Sequence, residues 1–272
     1  MEPRDPKLLR QTFDSAAERY ERARRPYPPQ VFEDLAELAE LEVGSHVLEI
    51  GCGTGQATAP LADRGYDIIA VELGAELAAV ADRKLAAHPN VEIVVATFED
   101  WPLPSEPFDA VVSATAFHWI DPEIRVTKAA QALRPGGSLA VIETRRIPLG
   151  DEQLLADLWR CHERFDPTAR PARKPEPDEP PESNAEINRS GLFDRIESRR
   201  YEWDHEYSTA DYLELLLTFS NVLAMEPAQR SELLECIGEL IDRQLDGRIR
   251  EHTVNHLLVA RASGQPRAGA SL

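Results

Sequence analysis

Val47-Leu48-Glu49-Ile50-Gly51-Cys52-Gly53-Thr54-Gly55-Gln56 is the stretch from which the fold is read. An alternating, largely apolar run ends in glycines at every second position. Glycine accepts positive φ and carries no Cβ, so the backbone can turn sharply and pass close to a ligand. Ala57 to Arg64 then has helical character and is closed by Gly65, so the loop feeds a helix N-terminus rich in unpaired N–H groups. Strand, glycine loop and helix in that order form the entry to a nucleotide pocket. A dinucleotide would want Gly-x-Gly-x-x-Gly, with its pyrophosphate on the helix N-terminus. That register fails here, since Gln56 stands three residues after Gly53 and Thr58 three after Gly55. The acid inside the strand, Glu49, is also badly placed beside a pyrophosphate.

Downstream, the chain alternates. Asp67–Glu72 is a short β-branched run ending in an acid, and Ala75–His88 is a helix stopped by Pro89. Val91–Ala96 and Phe108–Ala114 are further strands. Asp121-Pro122 starts a helix that ends near Leu133-Arg134-Pro135-Gly136-Gly137, a tight turn leading into a fifth strand, Ser138–Glu143. Strands alternating with helices through short connections imply a right-handed parallel α/β sheet. In such a sheet ligands sit beyond the carboxyl ends of the strands, where Glu72 can accept from both hydroxyls of a ribose. A NAD enzyme would place an acid there too.

Composition narrows the partners. The chain of 272 residues has a formal net charge of -18, which disfavours non-specific binding to nucleic acid or anionic membrane. Cys52, Cys161 and Cys236 show no CxxC spacing, so neither a disulfide framework nor a zinc site is expected, and a reducing cytosol fits. No apolar run reaches membrane-spanning length, and the charged N-terminus is unlike a signal peptide, so a cytoplasmic location is expected. Pro6–Arg24 and Pro29–Leu41 read as two N-terminal helices separated by a proline-rich corner. Leu154–Phe165 reads as a helix and Ile196–Trp203 as a sixth strand. Helices follow from Ser208 and from Pro227, and Glu251–Ala260 reads as a last strand. The expected organisation is a helical cap at 1–41, an α/β core at 42–145, a helix with a proline-rich insertion at 146–190, completing strands and helices at 191–262, and a tail at 263–272.

The opening stretch resembles motif I of the class I S-adenosylmethionine (SAM) methyltransferases, hydrophobic-x-Glu/Asp-x-Gly-x-Gly-x-Gly. The likeness is strong from Val47 to Glu143 and weaker beyond. It implies a doubly wound, mostly parallel seven-stranded sheet with helical lid insertions, binding SAM and releasing S-adenosylhomocysteine without a metal. The loop residues Glu49, Gly51, Cys52, Gly53, Gly55 and Gln56 would cradle the amino acid tail and ribose, with Glu72 and Leu73 beside them. Phe13 through Tyr20 to Tyr27 looks like the N-terminal cap of small-molecule methyltransferases, in which a tyrosine and an arginine close over the SAM carboxylate; Tyr20 and Arg25 take those places. Their plain alternative is a packed helix corner.

Two places depart from the family. Where relatives carry Asp-Ala-Glu after the third strand, this chain has Thr97-Phe98-Glu99, so any contact to adenine from Thr97 is uncharged. Ser113, Ala114 and Thr115 lead to Phe117-His118-Trp119, which resembles the "QW" exit of the trans-aconitate and malonyl-carrier methyltransferases with His118 in place of glutamine. His118 is the candidate base and a candidate cofactor contact; it could equally pack under Trp119. Tyr27, Trp119, Tyr212 and Phe219 are candidate acceptor or lid residues, with core packing as their alternative. The expected activity is SAM-dependent methylation of a small molecule (a carboxylate, or a natural-product hydroxyl or amine) by a monomer or homodimer. RNA or protein methylation, a SAM-binding protein with another reaction or a sensing role, and a nicotinamide oxidoreductase are the competing readings.

Overall fold

Neighbouring residues along the central strands divide between two apolar layers. Ala110 and Val112 face one cluster and Val111 the other; Ala140 and Ile142 alternate with Leu139 and Val141, and Leu257 and Val259 with Leu258 and Ala260. A strand read as a continuous apolar run is therefore buried on both faces, as a parallel sheet requires. The computed structural model describes residues 9–165, 175–176 and 179–263. Its seven strands are β1 His46–Ile50, β2 Asp67–Glu72, β3 Val91–Val95, β4 Phe108–Ala114, β5 Leu133–Leu149, β6 Phe193–Ser208 and β7 Arg248–Ala262. They form one mixed sheet in the order β3-β2-β1-β4-β5-β7-β6. The pairs β1–β2, β2–β3, β1–β4 and β4–β5 are parallel, and the order reverses at β1 and β4. The expected doubly wound α/β sheet is the fold found.

Two compact units divide the chain, and their boundaries fall inside β5, β6 and β7. The first comprises Pro26–Glu143, Asp178–Tyr201 and the chain from Asn255. One face of its sheet is covered from Pro29–Leu38 (α2), Thr58–Ala62 (α3) and Ala75–Leu85 (α4), through Val31, Phe32, Leu35, Leu61, Ala81 and Leu85. The other is covered from Arg125–Ala132 (α5) and Glu182–Ser190 (α7), through Val126, Ala129 and Ile187. Glu143 fixes α7 by accepting the N–H groups of Glu182 and Ser183 at 2.8 and 2.9 Å, and Arg125 donates to Glu186 across the α5–α7 pair. The turn expected at Pro135-Gly136-Gly137 lies within β5, where the register against β4 shifts between Phe108 and Ala110. Gly136 has φ +75°, and a Cβ on Gly137 would stand 3.0 Å from two carbonyl oxygens.

The second unit comprises the chain up to Arg25, Thr144–Pro177 and Glu202–Val254. The first helix read from the sequence is two pieces, a 3-10 stretch Arg10–Ala16 and the helix Ala17–Ala23 (α1). Its core joins Leu154 and Leu158 from Glu152–Glu163 (α6), Tyr212, Leu215 and Leu216 from Thr209–Leu216 (α8), Val222 from Ser220–Leu223 (α9), and Leu233, Ile237 and Ile241 from Pro227–Leu245 (α10). Asp151 and Ser208 cap α6 and α8 by accepting the N–H groups of Leu154 and Asp211. The ion pairs Arg248–Glu206, Arg250–Asp204 and His252–Glu202 advance along β7 as they recede along β6, so these strands run antiparallel. Most of the proline-rich stretch 166–182 and residues 264–272 of the expected tail lie outside the described residues.

One expectation is corrected. Cys161 on α6 is paired with Cys236 on α10 in a disulfide, and the remaining free cysteine, Cys52, is buried. The partners are 75 residues apart, and only the packing of α6 against α10 brings them together. Alkylation of the denatured protein is therefore expected to label Cys52 alone before reduction and all the cysteines afterwards. Reduction is expected to lower stability by roughly 2–4 kcal/mol, read as a fall in Tm. Full labelling without reductant would refute the pairing.

Candidate cofactor site

Gly51, Gly53 and Gly55 all have positive φ, but different surroundings demand them. A Cβ on Gly51 would meet the Ala116 Cβ at 2.5 Å, so this glycine lets the loop pack on the exit of β4. A Cβ on Gly55 would approach Leu85 to 3.0 Å, so this one seats the loop on α4. A Cβ on Gly53 would meet nothing within 4 Å, so on that side the loop has open space. Gly53 also donates its N–H to Glu72 Oε2 at 2.8 Å, while Glu72 Oε1 accepts the N–H of Gly74 at 2.8 Å. The acid at the end of β2 thus holds the glycine loop and the start of α4 together.

Glu49 is the second acid of the site. It is 1% exposed, and neither carboxylate oxygen has a hydrogen-bond partner. Burial pushes its pKa up to about 7, the Thr58 hydroxyl works against this without a hydrogen bond of ordinary geometry, and Glu72 adds to it. The Thr54 and Thr58 hydroxyls are likewise buried without partners. Unsatisfied groups of this kind beside an open backbone position fit a ligand that brings its own donors. Cys52 is no nucleophile, because burial, Glu49 and Glu72 all push its thiol well above the usual range. Gln56 and Leu73 are half-buried beside these groups in sequence.

At the ends of β3 and β4 the expected residues take particular places. The Thr97 hydroxyl donates to Asp100 Oδ2 at 2.6 Å and accepts the Asp100 N–H, a local turn. The Phe98 ring is buried in the core, and Glu99 Oε1 accepts the N–H of Asp121. Lys128, which the sequence reading missed, holds this loop by donating to the carbonyls of Glu99 and Trp101 at 2.9 and 2.6 Å. Its sequence signal is only a lysine on an amphipathic helix. Ser113 is buried and donates to the Ile50 carbonyl, tying β4 to β1, and Ala114 closes β4 half-buried. Thr115 has φ +57°, a strained value for a β-branched residue, and its hydroxyl meets the Tyr27 hydroxyl at 2.7 Å. The His118 and Trp119 rings lie 4.7 Å apart, tilted at 45° to each other. The His118 ring is exposed, yet its crowded, poorly solvated surroundings hold its pKa below the usual imidazole value, against the pull of Glu143 and Glu182. Tyr20, Arg25, Tyr212 and Phe219 belong to the other unit, where Tyr212 is buried in the helical core and Arg24 lies over the rings of Tyr20 and Phe219. Among the described residues no group of His, Cys, Asp or Glu side chains is placed to hold a metal ion, and no helix is long and apolar enough to cross a membrane.

A glycine loop at the switch point of a doubly wound sheet, with acids in and after its strands, is the arrangement in which such α/β folds receive nucleotides. Residues 48–141 match the methyltransferase domain family. An uncharacterized methyltransferase of Mycobacterium tuberculosis is 29% identical over 231 residues, 85% of either chain. Among solved structures, a type II methyltransferase from Anaeromyxobacter dehalogenans is 25% identical with a TM-score of 0.62, covering 90% of this chain and 99% of that one. Phosphoethanolamine N-methyltransferase 2 of Haemonchus contortus, solved with SAM, shares the fold at 18% identity and a TM-score of 0.53, covering 93% of this chain and 57% of that one. Residues 48–141 thus resemble a methyltransferase domain, and the relatives and fold neighbours named above are methyltransferases. The narrower likeness to trans-aconitate and malonyl-carrier enzymes rests on the β4 exit alone.

The raised acids make stability depend on pH. With folded-state values of about 7 against 4.5 for the unfolded chain, Glu49 and Glu251 hold protons in the native state that the unfolded chain has released. Their contribution is complete below the unfolded value and is lost as pH rises through about 7. Urea melts between about pH 5 and 8 are expected to show stability falling with pH, with a shallower slope in Glu49→Gln and a still shallower one in Glu49→Gln/Glu251→Gln. An unchanged slope in both variants would refute the assignment.

Proposed function

We propose that this methyltransferase uses SAM to methylate a small-molecule acceptor. The observation that carries the reading is Glu72, which holds the open Gly53 backbone in place at the carboxyl end of β2, where a doubly wound sheet receives its ligand. Gly51, Gly53, Gln56, Glu49, Glu72 and Leu73 would hold SAM, with Thr97, Phe98 and Glu99 on its adenine side. When bound, SAM supplies an electrophilic methyl group on a sulfonium, so catalysis asks of the chain mainly alignment and exclusion of water. Glu49, in its ionised form, offers a carboxylate to an ammonium or another donor. His118, neutral at pH 7 because its pKa is lowered, can accept a proton from the acceptor. A small acceptor is favoured over nucleic acid by the net charge of -18.

Isothermal titration tests the cofactor: SAM and S-adenosylhomocysteine are expected to bind, and NAD is not. Binding is expected to be lost in Glu72→Ala and Gly53→Val, provided far-UV circular dichroism shows both folded. NAD binding without SAM binding would overturn the proposal. With an acceptor identified by labelled-methyl transfer, wild-type kcat should rise with pH through a value below the usual imidazole range and then level. In His118→Asn that limb should vanish and kcat fall about 10²-fold at unchanged KM for SAM; an identical profile would remove His118 from catalysis.

A further inference from the structure

In the second unit, β6 and β7 present opposite chemistry on their two faces. The even-numbered residues Glu202, Asp204, Glu206, Arg248, Arg250 and His252 pair with one another in the cross-strand ladder. The odd-numbered Trp203, His205 and Tyr207 of β6 and Glu251 of β7 occupy the other face, by the two-residue period of a strand. There Glu251 is 1% exposed, and its Oε1 is buried without a hydrogen bond. Its nearest cation is Arg146 of β5, whose Nε stands 3.7 Å from that oxygen, too far for a hydrogen bond. Among the described residues Arg146 makes no hydrogen bond at all, although its side chain is only 17% exposed.

A guanidinium with unengaged donors beside a carboxylate oxygen with no donor is an incomplete polar arrangement. A folded chain normally satisfies both. One wall is aromatic: the Tyr207 ring lies 6.0 Å from Tyr212 and 6.1 Å from His205, which accepts from the Trp203 indole N–H. The Arg25 guanidinium covers Tyr207 at 5.4 Å, a second cation on this face. We propose that this face of β5, β7 and β6 binds a small hydroxy or amino carboxylic acid, with its carboxylate on Arg146 and its O–H or N–H donated to Glu251. A planar guanidinium matches a carboxylate with paired N–H donors, and Glu251 offers an acceptor oxygen whether protonated or ionised. A phosphate dianion is disfavoured because Glu251 stands beside Arg146, and a simple ammonium because Arg25 and Arg146 share the face. Arg25, Arg146, Tyr207 and Glu251 belong to the second unit and the glycine loop to the first, so the proposal does not depend on SAM binding.

Saturation-transfer NMR and isothermal titration on the full chain test it, with 3-hydroxybutyrate, L-serine and 3-hydroxybenzoate as probes. Their methyl esters, butyrate and benzoate serve as controls. At least one acid is expected to bind more than tenfold tighter than its ester. Arg146→Gln should abolish that preference, and Glu251→Ala should reduce the hydroxy acid to the affinity of its deoxy analogue. Arg146→Lys, which keeps the charge and loses the fork, should bind about tenfold more weakly and decides the matter if the glutamine variant fails to fold. Absence of binding by every acid, equal binding of acids and esters, or unchanged binding in the Arg146 variants would overturn the proposal.

Discussion

The Glu72 carboxylate accepts the backbone N–H of Gly53 with one oxygen and that of Gly74 with the other. A charge-assisted bond to a peptide N–H is stronger than a neutral one, and here two of them originate from one buried side chain. They set the height of the glycine loop over β1 and the entry of the chain into α4. The loop is then fitted from below by contacts that tolerate no Cβ, Gly51 on Ala116 and Gly55 on Leu85. Only Gly53 faces outward. A loop with its one open glycine held in place is preorganised for a ligand, because the cost of its conformation is met in folding and not on binding.

Glu49 shows the opposite relation between stability and function. Its backbone belongs to β1, paired with β2 and β4, and its neighbours Leu48 and Ile50 are fully apolar. A valine there would complete the core. The acid instead sits without hydrogen bonds and retains a proton well above the carboxylate range. Buried groups with displaced pKa values concentrate where a protein meets a ligand. Glu251 in the second unit repeats the pattern on another strand, with Arg146 as its companion. In both cases a carboxylate occupies a position that packing alone would give to an apolar side chain.

The disulfide belongs to the same reasoning. The second unit buries its apolar side chains among short and medium helices rather than against a central parallel sheet, and its covalent link joins two of them, α6 and α10. A cross-link that closes a long loop restricts the unfolded chain most. The strands β6 and β7 run on past the residues that a sequence pattern identifies, because their extensions carry on one face a charge ladder that periodicity of hydrophobicity does not register.

The sequence by itself determined the sheet, its parallel core and the place of the glycine loop. β2 and β4 have the very bounds read from Asp67–Glu72 and Phe108–Ala114, since local patterns of apolar and β-branched residues dictate strands buried on both faces. Gly51, Gly53, Gly55 and Glu72 were legible because glycine periodicity and a strand-end acid are local signals. Tertiary structure alone decided the rest. That Glu72 bonds to the loop, that Lys128 holds the carbonyls of Glu99 and Trp101, and that Cys161 meets Cys236 are consequences of pairing between distant segments. The same holds for Arg146 beside Glu251, residues on strands adjacent in the sheet but far apart in the chain. No local pattern encodes such neighbours, because the side chains become partners only when strand order and register bring them to one face.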